Sequence, residues 1–232
     1  MPKRVPEESV ADDVHRGVRA ALSTIPFAGG TAVELFNRLL APPIQRRRDA
    51  WLTDLAQRVT KLEREDRIAV KDLQDNEEFA STFMRASQVA VRNHQKEKIE
   101  ALRNAVLNVA VGCGPADAKR EMFLALINEL GVWHLRVLSL LSDPPGWFER
   151  NGKQMPKFAI SSSLHQIIKA GMPDLAADRD FLEIVMKDLD NRKLASATGL
   201  MTLMSAQGAT QKQTSDLGDE FIRFITAPKG EE

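Results

Sequence analysis

From Glu77 to Val111 the chain runs 35 residues without a glycine or a proline. Phe79, Phe83, Ala86 and Ala90 recur three or four apart in its first half, and Ile99, Leu102, Val106 and Val109 repeat the pattern in its second. That spacing sets apolar side chains on one face of an α-helix. Between the halves lies Arg92–Lys98, RNHQKEK, seven residues with no apolar side chain. One unbroken helix would be roughly 50 Å long, with a wholly polar turn at its middle. Two helices joined near Asn93 and packed on each other bury more apolar surface, and that is the expected arrangement. A chain built around such a centre is mainly α.

The flanking segments carry the same pattern. Val10, Val14, Val18, Leu22 and Ile25 stripe a first helix over Ser9–Thr24, with Asp12, Asp13, Arg16 and Arg19 on its wet side. Pro26, Gly29 and Gly30 then break the chain. Thr31 and Glu34 have capping-box spacing for a second helix with Leu35, Phe36, Leu39 and Leu40 buried, stopped by Pro42–Pro43. Residues 9–41 thus read as a helical hairpin. A longer helix follows over Ile44–Glu65, with Trp51, Leu55, Val59 and Leu62 inward. After the central pair, VGCGPAD is a turn, and Ala116–Leu130 is helical with Met122, Phe123, Leu126, Ile127 and Leu130 inward.

At Gly131 the pattern changes, and a domain boundary is expected there: a helical domain over residues 1–131, a second domain over 132–227 and a disordered tail, 228–232. The second domain begins with a helix carrying Trp133, Val137, Leu140 and Leu141, ended by SDPPGW. A short strand is expected over Lys157–Ile160, a helix over Ser161–Ala170, and another over Phe181–Leu194 with Phe181, Ile184, Val185 and Leu189 buried. GLMTLMS and KQTSDLG read as two strands of a hairpin around the polar turn AQGATQ. Leu217, Phe221, Phe224 and Ile225 mark a final helix.

Lys plus Arg and Asp plus Glu number 32 each, so the formal net charge is zero. Non-specific affinity for nucleic acid comes mostly from excess cations, which argues against a generic polyanion binder and leaves only a local basic patch to supply such a role. The single cysteine, Cys113, cannot form an intramolecular disulfide and fits a reducing compartment. The start, MPKRVPEESV, lacks the apolar run of a secretory signal. The longest uncharged run near it, Ala20–Val33, is 14 residues broken by Pro26, Gly29 and Gly30. A spanning helix needs about 20 apolar residues. A cytoplasmic location is expected.

The order helix, short strand, helix, helix, β-hairpin resembles a winged helix-turn-helix. Thr214 and Gly218 in QTSDLGDEFIRFI look like the step that follows the wing in that fold, with Gly218 letting the chain turn closely against the domain. More widely, the apolar N-terminal hairpin, the charged helical middle, WHLRVLSLL before a Pro-rich loop, and LMTLMS…TSDLGDEFIRFI are similar to the bacterial abortive-infection alpha family. The resemblance implies a mainly α fold ending in a small winged-helix-like α+β domain, and a setting in defence against phage. It brings no catalytic residues.

The chemistry-bearing residues are sparse. His15, His94, His134 and His165 lie far apart, and Cys113 has no partner at ligand spacing, whereas a metal site needs three or four converging ligands. Ser161–Ser163 with His165 is the only serine and histidine cluster, and serine at a helix start is a preferred N-cap. No nucleophile elbow, phosphate loop or zinc-protease motif is present. No enzyme activity, metal or cofactor is expected.

Two basic features remain. In a winged helix the third helix reads DNA; here it would offer Lys187, Arg192 and Lys193 beside Asp180, Glu183, Asp188 and Asp190. Residues 132–227 hold 11 basic and 11 acidic side chains, so contact with protein is favoured over DNA. Arg46, Arg47 and Arg48 span about 200° of helix surface and precede Asp49. They read as a solvated helix start, with an anionic partner as the alternative. Trp147 is a candidate exposed anchor for a partner, weighed against a tryptophan tucked over the domain edge. The sequence reading is therefore a protein-contact module, binding another protein or its own copy. Its rivals are a membrane-perturbing effector using the N-terminal hairpin and a DNA-binding regulator.

Overall fold

The computed structural model describes residues 30–158, 160–198 and 200–228. The expected helix over Ser9–Thr24, the Thr31 side chain and residues 229–232 of the tail lie outside this description. The described chain is mainly α and divides into two units, one ending at Ala50 and the other running from Trp51 onward.

The first helix, α1, runs Gly30–Arg64 and includes Pro42 and Pro43. The expected stop at the prolines is corrected here. Their fixed φ is itself helical, so the chain keeps its helical hydrogen-bonding pattern around them, although each proline removes one amide donor and crowds the carbonyl four residues earlier. The basic side chains are accordingly mid-helix rather than at a helix start.

From Trp51 onward the fold is built on the long uninterrupted stretch. Helix α2 spans Val70–Gln74, α3 Glu77–Arg92 and α4 Lys96–Ala110. The central break falls at residues 93–95, where Asn93 Nδ2 donates to Val89 O at 2.8 Å. Ala86 and Ala90 of α3 and Leu102, Val106 and Val109 of α4 are buried, as their spacing predicts. Lys98 is buried although it belongs to the polar stretch; its Nζ donates to Asn128 O at 2.7 Å. It thereby caps the C-terminal end of α5, Asp117–Glu129, where a cation is favoured.

Beyond Gly131 follow α6 (Val132–Ser142), α7 (Pro144–Arg150), β1 (Ser161–Ser162), α8 (Leu164–Gly171), α9 (Pro173–Ala177) and α10 (Arg179–Asn191). Then come β2 (Met204–Ser205), α11 (Ala206–Thr210) and α12 (Asp216–Ile225). The expected boundary at Gly131 does not separate two cores. One apolar cluster runs from Trp51 to Phe224, and the Phe123 and Phe221 rings meet across it, centroids 5.2 Å apart. Asn104 and Asn108, one turn apart on α4, bind the end of α12. Asn104 Nδ2 donates to Ile225 O at 2.9 Å, and Asn108 Nδ2 reaches Phe224 O at 3.0 Å and Thr226 O at 2.8 Å. These carbonyls have no partner within their own helix.

The strands differ from expectation. Lys157, Phe158 and Ile160 lie in no strand, and Ile160 is exposed. The pairing starts one residue later, Ser161 with Ser205 and Ser162 with Met204, antiparallel. Met204–Ser205 therefore pairs with β1 and not with residues 212–218, while AQGAT forms α11, capped by Ser205 Oγ accepting from Gly208 N at 3.0 Å. The segment around Thr214 bridges Ala195 instead.

Gly218 sits where the sequence placed a close turn. A Cβ on it would lie 2.0 Å from Leu194 O, so the backbone of α12 approaches the chain after α10 nearer than any side chain permits.

Candidate interaction surface

Helix α10 is set by its cap and its inner stripe. Asp178 accepts from Phe181 N at 3.0 Å and starts the helix. Leu182, Val185, Met186 and Leu189, at i, i+3, i+4 and i+7, are buried. The expected burial of Phe181 and Ile184 is corrected: they are 37% and 54% exposed. Each residue turns the helix about 100°, so with four core side chains holding the inner face, Phe181 falls on a flank and Ile184 opposite. Asp180, Glu183 and Lys187 are exposed beside them, and Arg179 Nε pairs with Glu183 at 3.1 Å. A shallow depression lined by Asp174, Ala177, Asp178, Arg179 and Asp180 adjoins Phe181. The face is apolar at its centre and mixed in charge at its rim.

The flank of α10 is anchored. His134 of α6 is buried, and both ring nitrogens are engaged: Nδ1 accepts from Gly131 N at 3.2 Å, which leaves Nε2–H to donate to Asp188 Oδ2 at 3.3 Å. Arg192 Nη1 pairs with Glu129 at 2.8 Å. Burial depresses the His134 pKa, against the attraction of Asp188. The native state therefore binds fewer protons than the unfolded chain below about pH 6.5. Stability is complete above that pH and declines as pH falls through it. Urea midpoints measured from pH 7.5 down to 5.5 are expected to fall, and His134→Gln to flatten the profile. Glu97, held low chiefly by its bond to Arg136, acts only further down, below about pH 4.5.

Of the expected nucleic-acid contacts, Lys187 lies exposed on the outer face, whereas Arg192 is committed to Glu129. Lys193 is exposed at the helix end with φ of 59°, and its carbonyl accepts from Ser215 Oγ. Trp147 is not an exposed anchor. It lies on α7 at 9% exposure, edge-on to Phe148, and a Cβ on Gly171 would come within 3.0 Å of its Cζ3. The Pro-rich loop closes into a helix because Asp143 accepts from Gly146 N at 3.0 Å and proline is favoured in the first turn. Arg46 and Arg47 are exposed and Arg48 half-buried; Arg46 Nε donates to Pro42 O at 3.3 Å.

Ser163 stands at the N-cap of α8 without a capping hydrogen bond, and Ser162 Oγ bonds Gln166 Oε1 at 2.9 Å instead. Cys113 is exposed, and among the described residues no three His, Cys, Asp or Glu side chains converge as metal ligands would. Among them, too, no single helix is long and apolar enough to cross a membrane. No protein-family model, curated protein or solved structure matches this chain significantly.

Proposed function

We propose that this chain is a non-enzymatic cytoplasmic protein that works by contact with another protein or with a second copy of itself, through the outer face of α10. The observation that carries the reading is the pair Phe181 and Ile184, exposed between acidic and basic neighbours. A surface meant for phosphates is cationic; here Asp180 and Glu183 would repel them. Apolar centre and polar rim are the anatomy of a protein interface.

A winged-helix-like reading of the C-terminal part finds support in the return of the chain after α10. Ser196 N donates to Gln213 O at 3.1 Å and Ser215 N to Leu194 O at 3.0 Å, so residues 194–196 and 213–215 run antiparallel. In that reading the excursion between them replaces a plain wing, and α10 stands where a recognition helix would. The resemblance to the abortive-infection alpha family supplies the setting, phage defence in a bacterium.

Titration of labelled duplex DNA at low salt tests the choice between protein and DNA. Binding is expected to be micromolar or weaker, indifferent to sequence and abolished by added salt. Nanomolar, sequence-selective binding would restore the regulator.

A further inference from the structure

We propose that the outer face of α10 receives the same face of a second copy of this chain, the two helices running antiparallel about a two-fold axis at Ile184. This rests on the reading of α10 as a contact surface and gives that surface its occupant. Asp180, Ile184, Lys187 and Asn191 follow one another at intervals of four, three and four residues, and all are exposed. At about 100° per residue they fall within roughly 60° of one another, opposite the buried line of Leu182, Val185, Met186 and Leu189. Phe181 stands to one side of Ile184. On the other side Arg179 and Glu183 pair with each other at 3.1 Å. Neither Asp180 nor Lys187 has an ion-pair partner among the described residues.

Charge selects both the partner and its direction. Along the exposed line, Asp180 lies one turn before Ile184 and Lys187 one turn after it. Parallel copies would set Asp180 against Asp180 and Lys187 against Lys187. Antiparallel copies centred on Ile184 set Asp180 of each beside Lys187 of the other, twice by symmetry, while the two Ile184 side chains meet on the axis and Phe181 flanks them. The ends extend the match: Asp174 and Asp178 are exposed at the N-terminal end of α10 and Lys193 at the other. Asp188 and Asp190 lie half-buried to either side of the line, Asp188 bonded to His134 at 3.3 Å. A line that becomes its own charge complement when reversed is what a contact between identical copies requires. A surface made for a different protein has no need of it. Two short helices with one apolar pair at the centre bury less than a standard interface, so the dimer is weak, with a Kd on the order of 10 μM.

Sedimentation equilibrium of the full chain over a range of concentrations is expected to show monomer and dimer in exchange. Asp180→Lys and Lys187→Asp should each weaken the dimer about a hundredfold, because each sets like charges against one another at both crossings. Circular dichroism should stay unchanged, since both side chains are exposed. Mixed in equal amounts, the two variants should recover the parent affinity as a heterodimer, every crossing again pairing opposite charges. A chain carrying both changes should dimerise by itself. A monomer at every concentration, single variants that dimerise as the parent does, or a mixture that stays monomeric would overturn the proposal. A monomeric parent chain that still crosslinks to a different protein from Ile184 would refute the second copy and leave the contact reading of α10 standing.

Discussion

Gly218→Ala is expected to destabilise the protein by about 3–5 kcal/mol, although alanine is the better helix former by about 1 kcal/mol. The added Cβ would stand 2.0 Å from Leu194 O and 2.9 Å from its carbonyl carbon. Both are backbone atoms, so no rotamer change relieves the overlap. The carbonyl cannot easily retreat: it accepts from Ser215 N at 3.0 Å, and the Leu194 side chain is fully buried. The N-cap geometry at Ser215, whose Oγ accepts from Gly218 N at 3.0 Å, fixes the other side. Urea unfolding of the variant should show a markedly lower midpoint at unchanged slope. A variant as stable as the parent, or more so, would mean that α12 does not pack this closely on the chain after α10.

Asn108→Ala is expected to cost about 2–4 kcal/mol. Its amide satisfies the last carbonyls of α12 from a neighbouring helix, at 2.8 Å to Thr226 O and 3.0 Å to Phe224 O. Alanine would leave the buried Phe224 oxygen bare, and Asn108→Asp would face both carbonyls with a carboxylate and should do more harm still. Amide hydrogen exchange locates the damage: protection in α12 should drop more than protection in α3. An equal loss everywhere, or none, would show that the amide does not hold that helix end.

The long stretch without glycine or proline told its structure plainly, because the polar run Arg92–Lys98 has nothing to bury as one helix and the two apolar stripes do. The contact at Gly218 was likewise legible, since the residue is small where the chain turns back. Other features depend on packing that periodicity cannot rank. In α10 two overlapping stripes compete, and only the neighbouring helices decide that Leu182 and Met186 go inward while Phe181 and Ile184 stay out. Asn104 and Asn108 look like polar interruptions of an apolar helix; their role requires the end of α12, more than a hundred residues later. Trp147 was ambiguous for the same reason, its slot being formed by Gly171. Met204 and Ser205 pair with β1 rather than forming a local hairpin because the register with Ser161 and Ser162 is a long-range choice.

Whatever touches the outer face of α10 decides whether the chain works by protein contact. A photo-crosslinking amino acid in place of Ile184, irradiated in the protein's own host cell, reports that contact by the chemistry of the adduct. The expected result is a discrete, protease-sensitive and nuclease-resistant adduct, to another protein or to this same chain, that disappears when Phe181 is changed to Glu and is missing when the probe replaces the exposed Lys169 on α8. A nuclease-sensitive adduct, or none above the Lys169 control, would contradict it.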